Sequence, residues 1–228
     1  MVVVNDIKID RLIRSRRRTF SIEIEADGSL VVRVPKRASM RTIHDIIDRR
    51  SRWIMKRQRV ARQRHAQVRP KRYSDHEEFL YLGRYYGLRT DGDRQQALVF
   101  DNCHFILSRE HIGDARNIFI DWYRERAYNV ISQSAAQYSA LSGIPFDRIR
   151  ITGALKRWGS CSAIGNLCFS WRLAMAPPEV IDYVVVHELA HVEHRDHSPG
   201  FWNRIEGILP DFRERRAWLR DNGHLLTL

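Results

Sequence analysis

The stretch that decides the fold is Val184-Val-Val-His-Glu-Leu-Ala-His-Val-Glu-His-Arg-Asp-His197, which holds four of the ten histidines of the chain. His187 and His191 bracket Glu188 in the pattern H-E-x-x-H. Residues four apart lie on one face of an α-helix, so both imidazoles can bind the same metal ion. Glu188 would reach a metal-bound water without being a ligand. This is the layout of a zinc hydrolase.

Two histidines compete to be the third metal ligand. His194 follows His191 by three residues and lies near the same helical face, but it is a further turn away from His187. A single ion held at about 2.0–2.1 Å by each nitrogen is hard to share among three side chains along two helical turns. His197 follows six residues after His191, and residues 196–199 favour a helix end that lets its ring turn back. We therefore prefer His197.

One Zn²⁺ ion with three protein ligands keeps a fourth position open for water, as catalysis requires. Glu188 is then the general base and proton shuttle. Cys161 and Cys168 are a less favoured source of ligands, because a thiolate added to three histidines would close the open position. In a purely structural alternative, His187 and His191 are ordinary helix residues that are hydrogen-bonded in a core, and Glu188 is solvated. The expected zinc ligands are His187, His191 and His197.

The composition is that of a folded protein of 228 residues, with 43% hydrophobic and 29% charged residues. No apolar run approaches the roughly 18 residues of a membrane span, and the N-terminus is too short and acidic for a signal peptide. The three cysteines form no CxxC pair and leave an odd count. Reduced thiols in the cytoplasm are the simplest explanation, so we expect a cytoplasmic protein without a membrane partner.

The net charge of +12 is concentrated in one part of the chain. Between Arg11 and Arg72 there are 20 Lys and Arg against 5 Asp and Glu. This charge favours nonspecific, salt-sensitive contact with nucleic acid or with a nucleotide, although no motif for sequence-specific binding is present. The alternative is a solvated cationic helix face. The candidate phosphate contacts are Arg49, Arg50, Arg52, Lys56 and Arg57.

The succession of strand-like and helix-like segments along the chain predicts an α+β protein. Residues 7–34 alternate like antiparallel strands, with a hairpin at Asp27-Gly28. From Ser39, a plausible N-cap, apolar residues recur at helical spacing to about His65. A second β segment follows over residues 79–107, with a turn at Asp91-Gly92-Asp93. We expect residues 1–110 to form a basic β-rich region with a long helix.

The remaining residues, 111–228, are expected to form a catalytic domain. Residues 114–142 predict a long helix that ends at Gly143. Strands at 149–151 and 167–173 flank a loop over residues 156–165, and further helices begin after Pro177, at Ser198 and at Pro210.

The loop Lys156-Arg-Trp-Gly-Ser-Cys-Ser-Ala-Ile-Gly165 could line the active-site cleft, and the strand after it could pair with an extended substrate. A basic side chain there could stabilise developing negative charge. The alternative is structural, in which Trp158 packs and Gly159 permits a turn. The candidate substrate or transition-state contacts are Lys156, Arg157 and Ser160.

Along nearly its whole length the chain resembles the YgjP-like metallopeptidases, a family of minimal zincins described as metal-dependent hydrolases. The motifs that carry the resemblance are Arg157-Trp-Gly-Ser-Cys-Ser162, Asp182-Tyr-Val-Val-Val-His-Glu-Leu-Ala-His191, His197-Ser-Pro-Gly-Phe-Trp202, Trp53-Ile54 and Tyr81-Leu-Gly-Arg84. The resemblance implies a minimal zincin core and the ligand pattern H-E-x-x-H-x5-H, which selects His197. The SprT-like and WLM proteases are similar only at the level of the catalytic core.

Three functions are compatible with these residues. The first is a zinc metallopeptidase in which Glu188 activates water against a peptide bond. The second is a metal-dependent nucleoside triphosphate pyrophosphohydrolase, since activated water can attack either electrophile. The third is a nucleic-acid-associated module with a structural zinc. Glu188 beside the ligands argues against the third, because a structural site needs no base.

Overall fold

The computed structural model describes residues 2–4, 7–92 and 96–228, the first three as backbone alone. Asp93 of the expected turn therefore lies outside the described residues. The chain forms two compact units, Met1–Arg69 and Pro70–Leu228. Both contain helices and strands, which confirms the α+β class. Every helix that the structure describes is too short or too polar to span a lipid bilayer.

The first unit contains two sheets. An antiparallel pair is formed by β1 (Val2–Val4) and β2 (Ile7–Ile9), and a mixed three-stranded sheet by β3 (Arg11–Ser15), β4 (Ser21–Ile24) and β5 (Leu30–Pro35). The expected hairpin joins β4 to β5 in an antiparallel pair, and Gly28 in its turn has φ +87°. β3 pairs with the other side of β5 in parallel. The expectation of a purely antiparallel region was therefore wrong, because alternation does not determine strand direction.

Two helices, α1 (Met40–Arg49) and α2 (Ser51–Gln67), replace the single basic helix expected from the sequence. The Ser39 hydroxyl accepts a hydrogen bond from the N–H of Thr42, which confirms the N-cap. The chain leaves helical geometry at Arg50, with φ −108° and ψ 8°. Three apolar residues of these helices are fully buried in the core of this unit: Ile43, Ile47 and Ile54.

The second unit begins with a four-stranded sheet. Its strands are β6 (Glu78–Tyr81), β7 (Arg84–Asp91), β8 (Leu98–Phe100) and β9 (His104–Ser108), in the order β6-β7-β9-β8. Phe79 and Phe105 share one core with Phe119 and Tyr123 of the long helix α3 (Ala115–Ser142). The boundary between the units is therefore at Arg69–Pro70 instead of residue 110. The sheet needs the helix to cover its apolar face.

The rest of the second unit builds the region around the histidine motif. A three-stranded sheet contains β10 (Ile149–Thr152), β11 (Gly159–Cys161) and β12 (Leu167–Ser170), with β11 at its edge. Three helices follow: α4 (Pro178–Glu193), α5 (Pro199–Ile208) and α6 (Phe212–Asn222). α4 carries H-E-x-x-H and contacts α3, α5, α6 and β11. The expected loop at 156–165 thus contains a short strand whose three residues, Gly-Ser-Cys, give no strand signal.

Candidate metal centre

Three imidazoles meet at the C-terminal end of α4. His187 and His191 project from one face of the helix, and His197 comes from the segment between α4 and α5. One nitrogen of each ring lies within 4.8 Å of those of the other two. Nε2 of His197 is 3.3 Å from Nε2 of His187. Among the described residues no other group of three His, Cys, Asp or Glu side chains converges in this way.

The end of α4 explains why His197 joins this triad. The helix stops at Glu193, and His194 takes an extended conformation with φ −121° and ψ 110°. The carbonyl oxygen of His194 lies 2.9 Å from Nδ1 of His191 and is placed to accept its proton. A proton on Nδ1 leaves the lone pair of Nε2 available for a metal. His194 thus contributes its backbone to the site, and its ring is not part of the triad.

Burial keeps the first histidine of the triad neutral. It lowers the pKa of His187 to about 3, and the neighbouring His191, His197 and Arg216 reinforce the effect. Burial also lowers the pKa of His197. Neutral imidazole is the form that binds a metal, and His₃ is an established donor set for catalytic zinc with one open position. The residues of the triad therefore fit a zinc ion.

Glu188 points into a tight space beside the triad. Its side chain is buried, with 5% of the residue exposed. Burial raises its pKa to about 8, while the charge of Arg157 acts in the opposite direction. A methyl group placed at Gly159 would lie 2.5 Å from Oε1 of Glu188 and 2.6 Å from its Cγ. The backbone of β11 therefore approaches Glu188 so closely that any side chain at Gly159 would force the glutamate to shift.

Gly159 has a different role from the one expected. The sequence suggests a turn residue, but Gly159 lies in β11 and its φ is not positive. Its lack of a side chain is needed for the contact with Glu188. Trp158, before it, packs against the core as expected from the structural alternative.

The aromatic side chains of Phe201 and Trp202 pack against the imidazole rings of the triad. Phe201 is fully buried and stacks on His191 at 4.6 Å between ring centroids. Its ring also meets His187 and His197 edge to face, at 5.0 and 4.8 Å. Trp202 stacks on His197 at 5.7 Å. Both aromatic residues lie in or against the core, and they also fix the orientation of the imidazoles.

The candidate contacts in the 156–165 segment are distributed unevenly. Arg157 is exposed and close enough to Glu188 to influence its pKa. Ser160 lies in β11 opposite Cys168. Lys156 is exposed, and no hydrogen bond or ion pair joins it to the described site residues. Neither Cys161 nor Cys168 belongs to the histidine triad.

Two arginines near the site were missed by the sequence interpretation. Arg195 donates hydrogen bonds of 2.8 and 2.9 Å to the carbonyl oxygens of Ser162 and Ala163. It thereby ties the turn after β11 to the segment that carries His197. Arg216, on α6, lies over the ring of Trp202 at 4.5 Å. Both contacts join residues distant in sequence, and only the position of Arg195 within the histidine motif could have suggested it.

The cationic candidates in the first unit are all exposed on α1 and α2 or at the residue between them. An open groove is lined by Phe20, Ile22, Ile46, Arg49, Arg50 and Trp53. Trp53 is 40% exposed, and Arg57 lies over its ring at 5.8 Å. Residues 1–69 contain 19 Lys and Arg against 7 Asp and Glu, a net charge of +12. This equals the net charge of the whole chain, so residues 70–228 are neutral overall.

Comparison with known proteins assigns the chain to a family. The model of the YgjP-like metallopeptidase domain matches residues 18–222. The chain belongs to the YgjP-like family. The YgjP-like match covers both units and includes the triad, Glu188 and Arg216. Membership makes the protein a metallopeptidase, with a metal cofactor and a peptide substrate implied.

Other similarities to this YgjP-like protein are distant. No curated protein is significantly similar to it in sequence. Among solved structures, the metallopeptidase zymogen of Pyrococcus abyssi abylysin is 20% identical. The similarity covers 40% of this chain and 93% of abylysin, with a TM-score of 0.36.

Proposed function

We propose that the protein is a zinc-dependent peptidase in which His187, His191 and His197 hold one Zn²⁺ ion and Glu188 is the general base. The observation that carries this proposal is the convergence of three imidazoles beside a buried carboxyl group. Zinc bound there would supply Lewis acidity, which lowers the pKa of water and polarises a carbonyl group.

Glu188 transfers protons in this mechanism. Its carboxylate takes a proton from the attacking water and later gives it to the leaving nitrogen of the cleaved peptide. A raised pKa suits the second step, because the carboxyl must hold the proton until the amine departs. Gly159 keeps this carboxyl in place through the close backbone contact. Arg157 supplies positive charge that favours the ionised form needed for the first step.

The direct test measures metal content and hydrolysis of a denatured protein by zinc-loaded wild type and Glu188→Gln. The variant is expected to keep its metal and to lose activity by about 10²- to 10⁴-fold, the usual contribution of general acid–base catalysis. Glu125→Gln, at an exposed position of α3, is the matched control. Full activity in Glu188→Gln would reject the mechanism.

A nucleoside triphosphate pyrophosphohydrolase is the second candidate. The exposed cations Arg157 and Arg216 near the site are compatible with an anionic substrate. Pyrophosphate release from a panel of nucleotides, measured beside protein cleavage, distinguishes the two. A structural zinc is less favoured, since the buried Glu188 would cost stability without a catalytic use.

Nucleic acid or a nucleotide is a proposed partner of the first unit. Two observations support it: the concentration of the net charge in residues 1–69, and the groove in which Arg49 and Arg50 accompany the exposed Trp53. Cations that contact phosphates beside an aromatic ring that stacks on bases are typical of single-strand binding.

A cytoplasmic location is also a proposal. Cys103, Cys161 and Cys168 are all free thiols in the structure. Free thiols persist most readily in a reducing compartment. Fractionation of cells that express the protein would test the location directly.

A further inference from the structure

Arg216 stands close to the histidine triad. Its guanidinium carbon is 4.5 Å from the ring centroid of Trp202, and that centroid is 5.7 Å from the His197 ring. The guanidinium therefore lies at most about 10 Å from His197, within roughly one Debye length at 0.1 M salt. The Trp202 ring supports the guanidinium by a cation–π contact, which limits its freedom.

The charge of Arg216 acts to lower the pKa of several groups at the site. Burial is the main cause of the lowered pKa of His187 and His197, and Arg216 adds to it in both. Burial raises the pKa of Tyr183, one helical turn before His187, and Arg216 acts against this rise. The geometric link between Arg216 and the triad is the Trp202 ring, which stacks on His197 and also contacts the guanidinium.

Arg216 differs from the other arginines of α6 because it has no carboxylate partner among the described residues. Arg213 pairs with Glu206 at 2.6 Å, Arg215 with Asp211 at 2.9 Å and Arg220 with Asp221 at 2.9 Å. Arg216 is exposed, and its only contact of this kind is with Trp202. An unpaired cation beside a cation-binding centre opposes metal binding by Coulomb repulsion. A bound anion would remove this conflict.

We propose that Arg216 binds a carboxylate of the peptide substrate close to the scissile bond and so gives the enzyme a preference for peptides with negative charge there. The inference rests on the proposed peptidase function. The planar guanidinium presents parallel N–H donors that match the two oxygens of a carboxylate. The carboxylate is either the C-terminus of a short peptide or an acidic side chain, and both present the same pair of oxygens.

Matched peptides test the preference and separate the two sources. N-acetylated hexapeptides of one sequence would be made with a free or an amidated C-terminus, and amidated peptides with one internal Glu or Gln at each position. Zinc-loaded wild type, Arg216→Gln, Arg216→Lys and Arg213→Gln would be compared by kcat and KM. Arg213 is the control, because it also lies over an aromatic ring, that of Phe212, on the same helix.

Wild type is expected to prefer one carboxylate-bearing series by about 10- to 100-fold in kcat/KM, mainly through KM, as expected for charge-assisted hydrogen bonds. Arg216→Gln should abolish this ratio, Arg216→Lys should keep part of it, and Arg213→Gln should leave it unchanged. Arg216→Gln should also bind zinc more tightly in competition with a chelator, since a repulsive charge is removed. A purely structural role would not produce that gain.

Equal cleavage of charged and neutral peptides by wild type, or an unchanged ratio in Arg216→Gln, would overturn the proposal. Calorimetric binding of the same peptides to zinc-loaded Glu188→Gln tests Arg216 without turnover. If no peptide is cleaved but binding still needs both a carboxylate and Arg216, the carboxylate site stands and the peptidase function fails. Tighter Arg216-dependent binding of pyrophosphate than of any peptide would reject the carboxylate and support the nucleotide alternative.

Discussion

Gly159 and Glu188 are in direct contact, since a methyl group at Gly159 would meet Oε1, Cγ and Cδ of Glu188 at 2.5, 2.6 and 2.8 Å. The first is in an edge strand and the second in the helix that carries the histidines. The contact fixes the position of the buried carboxyl relative to the triad. We therefore expect the position of Glu188 to depend on the lack of a side chain at Gly159.

Gly159→Ala should displace Glu188 and reduce hydrolysis at least tenfold while the three histidines keep their metal. The buried carboxyl has little room to move, so the overlap should also cost about 1–3 kcal/mol of unfolding free energy. Activity, metal content and denaturant unfolding would be measured together. Unchanged activity would show that the carboxyl can relax away from the added methyl group, contrary to the contact described.

Metal-free protein should show a pH-dependent stability determined by Glu188. Its pKa is about 8 when folded against an ordinary 4.5, so the folded state keeps a proton that the unfolded state releases in this range. The free energy of unfolding therefore falls as the pH rises from 4.5 to about 8, by up to about 1.4 kcal/mol per pH unit. His187, with a pKa lowered from 6.5 to about 3, has the opposite slope, but only below 6.5.

Between pH 6.5 and 8 the contribution of Glu188 is thus not offset by that of His187. Urea titrations of chelator-treated protein should show Glu188→Gln becoming more stable relative to wild type across this interval. A difference in unfolding free energy between the two proteins that does not change with pH would contradict the burial of a protonated carboxyl group.

His197→Ala and His194→Ala should differ sharply in zinc affinity. His197 supplies a ring nitrogen to the triad, whereas His194 contacts His191 only through its backbone carbonyl, which alanine retains. Loss of His197 should therefore weaken zinc binding by more than the roughly 10- to 100-fold typical when a hydrogen-bond partner of a ligand is removed. Competition with a chromogenic chelator measures both. Equal loss in the two variants would bring His194 back as a ligand.

Arg195→Ala should lower kcat/KM without removing the metal. The side chain holds the carbonyl groups of Ser162 and Ala163 beside the segment that bears His197, and alanine cannot replace either hydrogen bond. We expect a loss of about tenfold, equivalent to one net hydrogen bond to a charged group. Arg150→Ala, on the exposed face of β10, is the control. Similar losses of kcat/KM in the two variants would mean that the hydrogen bonds of Arg195 to Ser162 and Ala163 have no specific effect on activity.

The groove of the first unit should bind single-stranded DNA in a salt-dependent manner. Replacing both Arg49 and Arg50 by Gln should reduce the slope of log K against log salt by about 1.4, or 0.7 for each phosphate that is no longer neutralised. Trp53→Ala should weaken binding by about 1–3 kcal/mol if a base stacks on this ring. Fluorescence anisotropy with a labelled thymidine oligonucleotide measures both effects, and slopes unchanged from wild type would remove this groove as the site.

Local patterns predicted the elements more successfully than their assembly. The spacing of His187 and His191 and the stop at Gly143 follow from helix geometry, so the sequence was sufficient to predict them. The contact of Gly159 with Glu188 joins a strand and a helix far apart in the chain, and no periodicity reports it. The parallel pairing of β3 with β5 and the packing of residues 78–108 on α3 were missed for the same reason.

The distribution of charge between the two units has a consequence for how the protein meets other molecules. All of the net charge lies in Met1–Arg69, and Pro70–Leu228 is balanced. A protease cut at this boundary would release one fragment that a cation exchanger retains and another that it does not. In the intact chain, salt should therefore weaken any contact of the first unit with polyanions more than it affects the overall charge of the second unit, which has no net charge to screen.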